Sequence, residues 1–198
     1  MTDVAHATIK RILGEGYLDL KLRRFSFEED PEAGTCKVTV VTQQSSGGPE
    51  QSVEGRGVGI IDAMFSGLLQ RYSTEYQSLK SIRLTGFAVH AKLESERGRF
   101  GSDAVGEVVL EVQNSSGRPF RFSDASRSIV ASAARAVVSA IGYFVNSERA
   151  FIALHKALKD AKERKRADLV AQYTRELSDV VASTSYAEVI ERLRNEPV

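Results

Sequence analysis

Two glycines, Gly57 and Gly59, stand directly before a stretch with apolar residues at helical spacing: Ile60, Ile61, Met64, Phe65, Leu68, Leu69 and Tyr72. A helix that opens on such a turn presents unpaired backbone N–H groups at the positive end of its dipole, and these bind a carboxylate or phosphate without help from a side chain. Asp62 falls in the first turn, where the same dipole favours an acid. The chemistry on offer is anion binding. Gly57 and Gly59 are expected to supply positive φ or close backbone approach, and the amides near Val58, Gly59, Ile60 and Ile61 to point at the anion.

No other group of residues makes a reaction centre. His6, His90 and His155 are distributed over a predicted helix, a strand and the C-terminal part with no His-x-His or His-x-x-x-His pair, so no metal site is expected. Cys36 is the single cysteine, which excludes an internal disulfide and a cysteine-based zinc site; it reads as a half-buried thiol beside a turn. There is neither a Walker-type Gly-Lys-Ser/Thr nor a serine elbow, and the prediction is no catalytic residue and no cofactor. Lys and Arg number 27 against 26 Asp and Glu, a formal charge of +1, so no global field draws in nucleic acid or a membrane. The basic run Lys162-Glu163-Arg164-Lys165-Arg166 is interleaved with Asp160, Glu163 and Asp168 and reads as a solvated surface. No apolar run reaches the roughly 18 residues of a membrane span, and the N-terminus lacks a signal-peptide core. The expected location is cytoplasmic.

Something must position the glycine turn. Strands are predicted over 17–27, 37–42 and 51–55, then the helix; extended segments over 82–93, 104–112 and 119–122 precede a second helix over 126–144. The expected fold is α+β: two β-β-β-α modules, 17–73 and 79–146, after a helical lead-in over 1–16 and before a C-terminal helical extension over 147–198. That extension is expected as helices over 147–164 and 167–182, with Ser185-Tyr186-Ala187-Glu188 opening a further piece by a capping box. Gly101 to Asp103 and Asn114 to Gly117 are the expected turns of the second module. The second helix is apolar nearly all round and rich in alanine, which means burial either in the chain's own core or against a second chain.

Four segments in order resemble the C-terminal regulatory domain of the α-isopropylmalate synthase and citramalate synthase family. Gly57-Val58-Gly59-Ile60-Ile61-Asp62-Ala63 is similar to its Gly-x-Gly-Pro-Val-Asp-Ala signature, and Leu84-Thr85-Gly86-Phe87-Ala88-Val89 to a Leu-x-x-Tyr-x-Val strand. Gly101-Ser102-Asp103-Ala104 resembles a Gly-x-Asp-Ala turn, and 126–136 resembles a second-helix signature, with Asn146 near that helix's end. The chain departs from the family pattern at Val58, Ile60 and Arg127.

The resemblance implies two β-β-β-α modules that form a homodimer and bind an end-product amino acid, leucine or isoleucine, near the dimer interface. On that reading the α-carboxylate lies on the amides of Gly57, Val58, Gly59 and Ile60, and the ligand side chain among Ile61, Phe65 and apolar residues of the second copy. Asp62 completes the first loop, and Asp124, Ser126 and Arg127 supply second-loop contacts. The family's enzymes also carry a catalytic barrel, which needs about 250 residues. With 198 residues and no metal motif this chain has no room for one. The resemblance therefore implies a non-catalytic allosteric module of branched-chain amino-acid biosynthesis, either a stand-alone relative acting in trans on a synthase or a piece of a longer enzyme. The rival reading is a structural or interaction dimer that has lost the pocket.

Overall fold

The computed structural model describes residues 2–91 and 105–181. Helix α1 (Thr2–Leu13) and a short turn of 3-10 helix (Gly14–Gly16) lead into β1 (Leu20–Asp30), β2 (Thr35–Gln44), β3 (Gln51–Gly57) and α2 (Ile60–Ser73). A second 3-10 turn (Gln77–Ser81) connects to β4 (Arg83–Ala91), β5 (Gly106–Gln113), β6 (Pro119–Ser126), α3 (Ile129–Glu163) and α4 (Ala167–Val181). The fold is α+β, with two antiparallel three-stranded sheets ordered β1-β2-β3 and β4-β5-β6, each followed by a helix.

The two modules repeat in register as well as in order. Each first strand carries an irregularity near its start, at Leu22/Arg24 and at Leu84/Gly86. Each third strand ends opposite the start of the second, Gly57 facing Cys36 and Ser126 facing Gly106. Gly57-Val58-Gly59 before α2 is therefore the counterpart of Ser126-Arg127-Ser128 before α3.

Differences from the expected boundaries have local causes. The first strand runs on through Glu28, Glu29 and Asp30, because these acids pair with Lys37, Cys36 and Thr35 while their side chains stay in water. The turn expected over 28–34 is confined to residues 31–34, held by the Asp30 carboxylate accepting the Glu32 and Ala33 amides at 3.0 Å each, with Gly34 at φ 62°. The second helix starts three residues later than expected, since residues 126–128 form its cap. It then runs 35 residues without a break, so the helix expected over 147–164 is its continuation. The capping box at Ser185 and the turn at Gly101 lie outside the described residues.

The alanines of α3 meet this chain's own core. Ala133, Ala134, Ala136 and Ala140 are buried with Val137, Ile141 and Phe144 in one continuous cluster that also takes in Val38, Leu68, Leu79, Val108 and Leu110. By length and composition α3 could cross a membrane, although no uninterrupted apolar run signalled it; 72% of its apolar window is buried inside the fold, which makes it a core helix. Cys36 also belongs to this core and is fully buried rather than half-buried, so burial pushes its thiol pKa up, with Glu29 opposite adding to the rise.

Candidate functional site

The glycine loop is built by a close crossing of α2 over β3. A Cβ on Gly55 would collide with the Ala63 carbonyl oxygen, and one on Gly67 would come 2.7 Å from the Gly55 Cα. A Cβ on Gly57 would strike the Asp62 carboxylate and lie 2.6 Å from the Ala63 nitrogen. Gly57 is thus required by close approach, as expected, whereas neither Gly57 nor Gly59 has positive φ. Gly59 is extended, at φ −166° and ψ 172°, and a Cβ there would meet nothing within 4 Å.

The first intrahelical bond runs from the Ala63 amide to the Gly59 carbonyl at 2.9 Å. Gly59 caps α2 without a side chain, so the amides of Ile60, Ile61 and Asp62 stand ahead of the hydrogen-bond ladder. The Val58 amide is different. It donates to Asp62 Oδ2 at 3.1 Å, a reach-back that ties the loop to the helix it precedes. This corrects the expected donor set, because a carboxylate of the protein already holds Val58, and it leaves Gly59, Ile60 and Ile61. Phe65, expected beside the ligand, is buried with Met64 and Leu68 in the chain's own core cluster. Val58 is 77% exposed and Ile60 and Ile61 are partly so. Among the described residues of one chain the loop forms an open helix end.

The second loop has the same backbone plan and a different chemistry. Ser128 Oγ accepts the Ala131 amide at 3.2 Å, capping α3. Ser126 Oγ accepts the Ser128 amide at 3.2 Å and shares a 2.8 Å hydrogen bond with Ser132 Oγ. Asp124 takes a forked ion pair from Arg135, at 3.0 Å from Nε and 2.6 Å from Nη2, which holds its carboxyl below the usual range. Asp124 and Ser126 are therefore committed within the module, and Arg127, exposed, has no ion pair among the described residues. One helix start is bare and its counterpart is sealed by serine.

A tandem pair of β-β-β-α modules with these unequal helix starts is the architecture of a paired-module domain. The model of the LeuA allosteric (dimerisation) domain matches residues 3–145, and the chain belongs to that family. It is a regulatory, dimerisation-type module of the LeuA class. Comparison with curated proteins finds no match.

Two buried polar residues lie just beyond the matched stretch: Asn146, expected only as a marker near the end of the second helix, and Glu148, which sequence reasoning missed. Asn146 accepts the Leu18 amide and donates to the Leu18 carbonyl, both at 2.8 Å. Glu148 accepts the Gln77 amide at 3.2 Å, the Ser78 amide at 2.9 Å and the Ser78 hydroxyl at 2.7 Å. One holds the approach to the first module and the other the connector to the second. Their polarity inside an apolar helix was the available signal.

Proposed function

We propose that this chain is a non-catalytic sensor that binds a small branched-chain amino acid, leucine or isoleucine, at the start of α2, in a site closed by a second copy of the chain. The observation that carries the reading is the bare α2 N-terminus, set in a domain whose family is allosteric and dimerising. The α-carboxylate rests on the amides of Gly59, Ile60 and Ile61, and the side chain lies along Ile61 against the partner. The sensor acts on a synthase in trans. Leucine or isoleucine at about a hundred times its dissociation constant adds about 2.7 kcal/mol of apparent stability, read as a selective rise in melting temperature over valine and the matching keto acids. Gly59→Val, whose Cβ enters open space beside those amides in the free chain, removes the rise. A flat panel, or an unchanged response in Gly59→Val, refutes the site.

We place the second copy against the apolar residues that each helix leaves exposed. Phe27 pairs with Val38 and Val38 with Gly55 under α2; Phe87 pairs with Leu110 and Leu110 with Phe122 under α3. Residues directly opposite share a face, so Phe27 and Phe87 lie on the helix-bearing faces, yet they are 47% and 46% exposed. We take these two exposed aromatic side chains as the contact surface for the second copy. Phe27→Asp combined with Phe87→Asp is expected to convert a dimer to a monomer in sedimentation velocity, with far-UV dichroism unchanged. A double variant that sediments as wild type places the dimer contact elsewhere.

The second reading, a dimer without a ligand, is favoured by one observation: Asp62 already occupies the Val58 amide and puts a negative charge where a ligand carboxylate would approach. The same ligand panel separates the two, since this reading predicts dimerisation with no response to any amino acid.

A further inference from the structure

Away from the glycine loop, a cleft of about 710 Å³ opens between α1, the start of β1, β6 and α3, within the roughly 300–1,000 Å³ typical of small-molecule sites. We propose that this cleft binds a small organic anion with an aromatic or branched apolar body, its charged end between Lys10 and Lys21 and its body against Tyr17, Phe122 and Tyr143.

Charge is the first support. Lys10, Lys21, Arg121 and Arg135 all line the cleft against one acid, Asp19, in a chain whose formal charge is only +1. Arg121 is paired with Glu111 and Arg135 with Asp124, both partners lying outside the cleft lining. The two lysines have no ion pair among the described residues, and Lys10 Nζ sits 6.0 Å from the Tyr17 ring centroid. Among the described residues, the positive charge of the lining that carries no ion pair is therefore that of Lys10 and Lys21, with Lys10 beside an aromatic ring.

The floor is the second. Arg135, Val138, Ser139, Gly142 and Tyr143 form one stripe of α3 facing the cleft. Glycine is the costliest helix-interior residue short of proline, and packing does not demand one at 142. A Cβ there would meet only the Leu18 carbonyl oxygen, at an ordinary 3.9 Å. The missing side chain enlarges the floor of the cleft at a cost to the helix. Phe122 and Tyr143, in edge-on contact at 5.6 Å between centroids, continue that floor as an apolar surface.

The test uses anilinonaphthalene sulfonate, an aromatic organic anion, titrated into the full chain by fluorescence at low and high salt. The expected result is saturable binding of one dye per chain, weakened by salt and reduced about tenfold by the Lys10→Glu, Lys21→Glu double variant. Gly142→Leu, which fills the floor, is expected to abolish it, and Gly142→Ala to raise the melting temperature of the free protein. Should Gly142→Leu fail to fold, the lysine variant decides alone, because both lysines are exposed on the surface. Gly59→Val is expected to leave dye binding unchanged, which separates this cleft from the amino-acid site. Unchanged affinity in the lysine variant overturns the proposal, and so does binding that vanishes in Phe27→Asp, Phe87→Asp, since the dye then reports the apolar sheet faces.

Discussion

Glu148→Ala is expected to lower the unfolding free energy by about 3–5 kcal/mol, the largest single effect in the molecule. The carboxylate is wholly buried and takes three donors from the connector between the modules: two backbone amides and the Ser78 hydroxyl, which is itself buried. Truncation leaves all three without an acceptor and opens a void the size of the lost side chain, so the desolvation penalties of the stranded donors add to the cavity term. Glu148→Gln keeps one acceptor but turns an NH2 group toward N–H donors, and it should fall between alanine and wild type. Urea unfolding followed by far-UV dichroism measures this. A loss below about 1 kcal/mol for the alanine variant would mean that water replaces the carboxylate, and that the connector is not held by α3.

The fold was legible where periodicity and turn chemistry agreed. The alternation of Val108, Leu110 and Val112 against Glu107 and Glu111 reappears as a strand buried on every second residue, and the step from glycine turn to amphipathic helix reappears as β3 into α2. Boundaries failed where pairing overrode composition. Glu28, Glu29 and Asp30 look like a turn, yet hairpin registry with β2 keeps them extended. The unbroken length of α3 was concealed because Asn146, Ser147 and Glu148 interrupt the apolar pattern as a loop would; all three are buried, and Asn146 and Glu148 are fixed by hydrogen bonds to distant backbone. The candidate site was legible as a loop and a helix start. Its donor set was not, because the reach of Asp62 to the Val58 amide depends on the angle at which α2 leaves the sheet.

That angle rests on two glycines, and replacing either is expected to act on stability and on the site together. Gly67 lies in the interior of α2, where alanine would ordinarily gain about 1 kcal/mol from helix propensity. In this setting a Cβ at 67 would lie 2.7 Å from the Gly55 Cα and 2.8 Å from the Glu54 carbonyl oxygen, contacts made by backbone that no rotamer change can relieve. Overpacking of this kind costs about 1–3 kcal/mol and forces the elements apart, so Gly67→Ala is expected to show a net loss of about 2 kcal/mol in urea unfolding, against the propensity trend. Gly55→Ala should lose at least as much, since its Cβ would meet the Ala63 carbonyl oxygen and approach the Gly67 Cα at 3.1 Å. Lifting α2 from β3 also moves Asp62 away from Val58 and tilts the amides of Ile60 and Ile61. Leucine or isoleucine affinity should therefore fall in Gly67→Ala even at temperatures where the variant is fully folded. Gly59→Ala is the control for stability, because its Cβ enters open space and its backbone is extended. A Gly67→Ala protein that is more stable than wild type would show that α2 does not ride on β3 through a glycine contact, and the geometry of the helix start would need another cause.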